Sequence, residues 1–310
     1  QGNKIKYYLA HSFREGKKIK KIRRYLGSNL SEHKVLVLRK RAEEIIKQQI
    51  ASYKIIVNPL SQDLTKNELD IIKSLENKRI KIKHFSEKDW QVFTEIFTYN
   101  TNAIEGSEVN EKEVKAILEK DKWPENIKKF DISEVYGVAK AVRYIRETKE
   151  HLSIGLIKTL HKLIFSNSKS FAGKLRGKDV EVVIRDGFGN ILHVGAPSNR
   201  VISLLQELVN WYNLNKDKYS PLLLAAVVHN QFENIHPFED GNGRVGRLLL
   251  TNILLKHKQT PVNISFKNRK EYYNSLKEYS KGNVRPTLNL LLKEYKTLKK
   301  QLGVYKNKQL

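Results

Sequence analysis

Apolar residues recur at intervals of three and four along most of this chain, the mark of amphipathic helices. Two runs are apolar on every side. Leu222, Leu223, Leu224, Ala225, Ala226, Val227, Val228 and Phe232 follow Ser220-Pro221, a capping hydroxyl with proline at the first helical position. Leu248, Leu249, Leu250, Ile253, Leu254 and Leu255 form the second run. Helices that lack a polar face lie inside a protein. Between the two runs, residues 236–247 read His-Pro-Phe-Glu-Asp-Gly-Asn-Gly-Arg-Val-Gly-Arg. Pro237, Gly241 and Gly243 force an irregular turn, so the pattern predicts a helix, a tight polar loop and a new helix N-terminus.

Caps and periodicity predict the remaining helices. Ser31 starts one that runs to about Gln49, with Val35, Leu36, Leu38, Ala42, Ile45 and Ile46 facing inward. Thr65-Lys-Asn-Glu68 is a capping box ahead of Leu69, Ile71, Ile72 and Leu75. Ser86 opens a helix carrying Trp90, Val92, Phe93, Ile96 and Phe97, which ends in Asn100–Gly106. Asn110 with Glu113, and Asp131 with Glu134, have capping-box spacing. Ser153 opens another helix, and more are expected at about 199–213, 269–280 and 286–302. Two stretches are not helical. Residues 4–26 read as a β-hairpin turning at Arg14-Glu15-Gly16-Lys17. Val180–Ile184 and Ile191–Val194 flank Arg185–Asn190, a hairpin with a glycine-rich tip. Its edge suits backbone pairing with an extended substrate segment. The expected fold class is mainly α, with this hairpin and a small N-terminal β-hairpin/helix module. The boundary falls between about 55 and 85, giving a module over 1–80 and a main domain over 81–310.

Composition narrows the class. With 310 residues and 40% hydrophobic content, the chain supports a sizeable core. It has no apolar run of membrane-spanning length, and residues 1–30 are polar and basic rather than leader-like. The absence of cysteine excludes disulfides and cysteine-built zinc sites and fits a reducing cytoplasm. The net charge of +25 raises a nucleic-acid reading. Most lysines, however, are interleaved with glutamate, as on a solvated surface. The exception is residues 1–50, with 14 Lys/Arg against 4 Asp/Glu. This module is the best candidate for an acidic or nucleic-acid partner; a packing module with a solvated lysine face is the other reading.

The 236–247 loop suits a phosphate chain. Gly241, Asn242 and Gly243 let backbone N–H groups converge on an anion, and the helix start adds orphan donors and the positive end of its dipole. Arg244 and Arg247 share a helix face and can each grip a phosphate bidentately. Asp240 offers a hard oxygen for Mg²⁺, which commonly binds one carboxylate plus substrate phosphates. His236 can take a proton from an attacking hydroxyl. Gly241-Asn-Gly-Arg-Val-Gly246 also matches a dinucleotide fingerprint, but no strand precedes it and no acid follows at the required distance. His229 and His236 lack a third partner for a metal centre.

The stretch resembles the Fic family motif, H-P-F-x-[DE]-G-N-G-R-x-x-R, with every fixed position filled. The resemblance spans about residues 86–300. Gly173, Arg176, Ala196-Pro197, Tyr272-Tyr273 and Gly282–Pro286 also resemble family features. It implies a Fic-type helical bundle in which the 180–194 hairpin is the flap. Val182, Val183, Ile184, Leu192, His193 and Val194 would there dock a target protein. Thr101-Asn-Ala-Ile-Glu105-Gly106 resembles the family's inhibitory pattern, [ST]-x-x-x-E-[GN], and places an inhibitory helix near 86–106. A carboxylate held on Arg247 would misplace the terminal phosphate of ATP. The implied activity is transfer of AMP from Mg·ATP to a Tyr, Thr or Ser hydroxyl of a protein, restrained by Glu105. His236 would be the base and Asp240 the metal ligand, with Gly241, Asn242, Gly243, Arg244 and Arg247 on the phosphates. Removal of AMP, transfer of another phosphate-containing group, or nucleic-acid binding beside a vestigial site are the alternatives. No membrane association is implied, and homodimerisation stays open.

Overall fold

The computed structural model describes residues 4–15, 18–60, 62, 64–77, 85–177, 180–185 and 191–302. The chain begins with strands β1 (Lys6–Glu15) and β2 (Lys18–Ser28), followed by helices α1 (Glu32–Val57) and α2 (Lys66–Asn77). Then come α3 (Glu87–Ile104), α4 (Glu111–Lys120), α5 (Lys129–Glu147) and α6 (Ile154–Phe165). The short strands β3 (Val183–Arg185) and β4 (Ile191–Val194) precede α7 (Val201–Asn215) and α8 (Pro221–Ile235). The remaining helices are α9 (Asn242–Lys256), α10 (Arg269–Tyr279) and α11 (Arg285–Gln301). Each strand pair forms its own antiparallel two-stranded sheet. No helix among the described residues is long and apolar enough to cross a membrane.

The local signals act as their chemistry demands. Ser86 accepts the Asp89 N–H while Asp89 accepts the Ser86 N–H, a complete capping box. Asn110 and Glu113 do the same for α4, and Thr65 and Glu68 for α2. Ser153 and Ser220 cap α6 and α8. At the centre lies α8, buried from Leu222 to Ile235. It packs against α9, α7, α10, α11 and α1.

Three expectations change. α1 continues past Gln49 to Val57 because its second half joins the core: Tyr53 and Ile55 are buried with α8 residues. Leu36, expected inward, is 64% exposed, since the narrow β1–β2 ribbon covers only a strip of the first half of α1. α5 starts at Lys129 without a side-chain cap, so Asp131 and Glu134 form no capping box. Glu134 instead points inward to an arginine of α9. The 186–190 tip of the second hairpin and the 16–17 turn of the first lie outside the described residues.

The N-terminal segment is tied to the centre by buried polar contacts. The Gln231 amide donates to the Ile55 carbonyl at 2.8 Å and to the Tyr279 hydroxyl at 2.9 Å. Tyr279 in turn donates to the Pro59 carbonyl at 3.0 Å. The Gln49 amide reaches the Gly195 carbonyl at 3.2 Å, just beyond β4.

Candidate active site

The site forms where α8 ends and α9 begins. His236 closes α8 in the left-handed region, at φ 51°. Glycine is the usual residue in that conformation and a side chain there is strained, so the fold holds an imidazole where it would most readily take a hydrogen. The His236 Nδ1 lies 3.3 Å from the Glu233 carbonyl. A carbonyl only accepts, so Nδ1 carries the proton and Nε2 keeps its lone pair. Burial pushes the imidazole down to about 4, against the raising effect of that carbonyl. His236 is therefore neutral at physiological pH.

Packing fixes the loop behind it. Phe238 is fully buried and stacks on His161, with centroids 3.8 Å apart. His161 reaches the Asp240 carbonyl at 3.1 Å and accepts from the Gly173 N–H at 2.8 Å. The Asn242 amide closes the loop on itself: its Oδ1 accepts from the Phe238 N–H and its Nδ2 donates to the Phe238 carbonyl, both at 2.9 Å. Gly241, at φ 81°, passes so close to Phe165 that a Cβ would stand 2.2 Å from the ring. The first helical hydrogen bond of α9 runs from Val245 to Gly241 at 3.2 Å. The N–H groups of Asn242, Gly243 and Arg244 precede it and are the orphan donors of the helix start.

An internal anion stands at that helix start. Glu105, the C-cap of α3, sits over Gly243, its Oε1 2.2 Å from where a Cβ would be. The same oxygen accepts from Arg247 Nη2 at 2.7 Å. Arg247 is almost fully enclosed. Its Nε donates to the Thr101 hydroxyl at 2.7 Å, Nη2 to the Thr101 carbonyl at 3.0 Å and Nη1 to the Tyr272 hydroxyl at 3.3 Å. Burial opposes its charge, but Tyr272 and Glu105 outweigh that and hold it protonated. The Tyr273 hydroxyl donates to the Ile104 carbonyl at 3.1 Å, pinning the end of α3.

The other arginine faces α5. Arg244 Nη1 pairs with the Glu134 carboxylate, both side chains being 6% exposed. The guanidinium lies 4.5 Å from the Phe165 ring centroid. Asp240, half-exposed, pairs with Lys169 at 3.1 Å and accepts from the Gly241 N–H at 2.6 Å. Burial pushes the Asp240 carboxyl up, but Lys169 and Arg244 bring it below the usual range.

The β3–β4 hairpin borders the histidine. Val183 pairs with Val194 and Ile184 with His193. The His193 ring centroid lies 5.2 Å from that of His236. Val182 and Val183 are half-buried, whereas the Val194 side chain belongs to the interior; the side chains of Ile184 and Leu192 lie outside the description. Buried Arg176 anchors this hairpin to the end of α8. It donates to the His236 carbonyl at 2.8 Å and the Val180 carbonyl at 2.7 Å, and also to Ala196. A cation there complements the negative end of the α8 dipole.

The expected residues thus converge: His236, the 241–244 helix start, Arg247, Asp240 and Glu105. Sequence reasoning missed Glu134, Lys169 and His161. They carry no local signal, because each is recruited by a partner far along the chain.

Fold and site together define a mainly helical protein in which a carboxylate, an enclosed arginine and a neutral histidine gather at the start of α9. Residues 151–254 match the family model described as Fic/DOC. The chain is 29% identical over 259 residues to protein adenylyltransferase fic-1 of Caenorhabditis briggsae, covering 80% of this chain and 50% of that protein. It is 30% identical over 200 residues to protein adenylyltransferase Fic of Nematostella vectensis, covering 62% and 45%. The chain therefore spans about half the length of these relatives. A Fic-domain signalling protein of Bacteroides thetaiotaomicron shares the fold with a TM-score of 0.63, 22% identity and coverage of 84% and 97%. A fragment of Fic-1 from Caenorhabditis elegans does so with a TM-score of 0.61, 24% identity and coverage of 89% and 78%. The chain is a member of the Fic/DOC family.

Proposed function

We propose that the chain is a protein adenylyltransferase held in check by Glu105. The observation that carries this reading is the carboxylate parked over Gly243 and on Arg247. It marks an anion site at a helix start, beside a histidine whose free nitrogen is ready to accept a proton. The triphosphate of ATP replaces that carboxylate. The amides of Asn242, Gly243 and Arg244 hold phosphate oxygens, and Arg247, held in place by Thr101 and Tyr272, exchanges Glu105 for the γ-phosphate. The Asn242 side chain keeps the loop in shape. Arg244, one nitrogen of which is committed to Glu134, retains a buried Nε without a partner among the described residues for the β-phosphate side.

Asp240 is a hard oxygen donor and fits Mg²⁺. Among the described residues no three His, Asp or Glu side chains are placed to hold a metal, so the nucleotide and water would supply most ligands. A bound Mg²⁺ neutralises phosphate charge. A serine, threonine or tyrosine hydroxyl of a target chain, laid along the 182–194 hairpin, gives its proton to His236 Nε2. Its oxygen bonds to the α-phosphorus as the bond to the bridging oxygen breaks, and pyrophosphate leaves with that electron pair. Catalysis comes from positioning and from charge compensation at the phosphates.

The test is incubation with Mg·ATP labelled on the α-phosphate, followed by mass spectrometry for an AMP adduct on the chain itself or on added proteins. The Glu105→Gly chain is expected to form it and the Glu105→Gly, His236→Ala chain is not. Equal labelling of the two overturns the mechanism.

A further inference from the structure

The transferase reading leaves the β1–β2 ribbon unexplained. Residues 1–30 hold nine Lys/Arg and one Asp/Glu, whereas the whole chain holds 58 and 33. An ordinary solvated lysine surface interleaves carboxylates; this ribbon does not.

One face of the ribbon is already used. Tyr7, Leu9 and Phe13 are half-buried and Ile22 is buried. The Phe13 ring packs 5.5 Å from that of Tyr53 on α1. The alternate positions form the outward face, with Tyr8 opposite Tyr25, Ala10 opposite Arg23, Ser12 opposite Lys21 and Arg14 opposite Ile19. Every one of these is exposed, as is Lys6. The face therefore presents Lys6, Arg14, Lys21 and Arg23, two tyrosine rings and no carboxylate. Arg23 lies 3.7 Å from the Tyr8 ring centroid, and the Tyr8 and Tyr25 rings are 5.2 Å apart. Small Ala10 and Ser12 leave the middle of β1 low.

We propose that this outward face docks duplex DNA, the two-stranded ribbon entering the major groove. Cations on both strands, Lys6 and Arg14 at the two ends of β1 and Lys21 and Arg23 along β2, suit an extended polyanion, where a single acidic side chain would need only one focus. The groove, about 12 Å wide, admits a two-stranded ribbon. The deep, narrow major groove of duplex RNA does not. The proposal is independent of the nucleotide site.

The test is fluorescence anisotropy of a labelled DNA duplex of about 20 base pairs against the full chain, titrated from 50 to 300 mM salt. Competitors are the matching RNA duplex and polyglutamate. Because the whole chain is cationic, two quadruple variants are compared. One replaces Lys6, Arg14, Lys21 and Arg23 by alanine. The other replaces Lys112, Lys120, Lys122 and Lys129, exposed residues on and beside α4 and α5. The ribbon variant is expected to lower the slope of log affinity against log salt by about 3 to 4. The control set should lower it by less than 1. Unchanged circular dichroism would show that both variants fold. Equal losses in the two variants would reduce the interaction to general surface charge and overturn the proposal. Competition by polyglutamate or duplex RNA as strong as by DNA would overturn it also, in favour of an acidic protein or an RNA partner.

Discussion

Arg247 and Glu105 meet at 2.7 Å although 142 positions separate them. Arg247 has three further hydrogen bonds to Thr101 and Tyr272, so it stays in place when Glu105 leaves. Removing the carboxylate should therefore free the anion site without collapsing it. Glu105→Gly is expected to raise AMP transfer on the order of tenfold or more, the scale of common intramolecular couplings. ATP affinity should rise with it. The change should also destabilise the fold by roughly 1–3 kcal/mol, as expected when a charge-assisted hydrogen bond is lost. Steady-state labelling and a denaturation curve on the same preparation check both signs. Lower activity would mean that Glu105 assists the chemistry rather than blocking it.

The Arg244–Glu134 pair is a different case. Both side chains are almost fully enclosed. Deleting one partner leaves a buried charge uncompensated. Glu134→Ala is expected to cost roughly 3–5 kcal/mol, seen as an earlier denaturant midpoint with an unchanged slope. Activity should fall further than the folded fraction, because Glu134 holds the Arg244 guanidinium that the proposed mechanism sets on the phosphates. A loss under 1 kcal/mol would show that water reaches the guanidinium.

These two pairs also show where sequence ends as a guide. The helix starts at Ser86, Asn110, Ser153 and Ser220 were legible because a cap bonds to residues two or three positions away. The loop was legible because its glycines and proline act on their own backbone. Glu105 was legible only through its likeness to a known pattern. Glu134 was misassigned because its spacing from Asp131 imitates a capping box, while its partner lies 110 positions away. The extension of α1 to Val57 was hidden for the same reason: core contacts at Tyr53 and Ile55 outweigh weak local propensity.

The pH dependence of transfer follows from His236. Burial pushes its imidazole from 6.5 down to about 4. The active, neutral form therefore persists across the physiological range. In the Glu105→Gly chain, kcat/KM is expected to be flat with respect to this group from pH 6 to 8. It should fall below about pH 5, with a midpoint near 4. An acid limb centred near 6.5 would instead show a solvated imidazole in the working enzyme.

Glu233 makes stability depend on pH in the opposite direction. It is a buried carboxyl on α8, with Oε1 lacking a partner among the described residues and packed over Gly246 of α9 together with His229 Nδ1. Burial pushes it from 4.5 up to about 8, with Arg247 lowering it and Glu105 raising it. A raised carboxyl binds its proton in the fold across that window. The associated stability is full below pH 4.5 and is lost as pH rises through 8. His161, His193, His229 and His236 act the other way. Burial holds them at about 4, 3, 3 and 4, so their contribution is present above 6.5 and lost as pH falls. The two effects oppose one another between 4.5 and 6.5, and above 6.5 Glu233 is the member of this set still titrating. Thermal stability is therefore expected to decline from pH 6.5 to 8, by about 2 kcal/mol. Glu233→Gln, neutral and of the same shape, should flatten that decline while leaving the acid limb unchanged. If the pH 6.5–8 curves of the two proteins run parallel, Glu233 is already ionised in the fold and the burial argument fails.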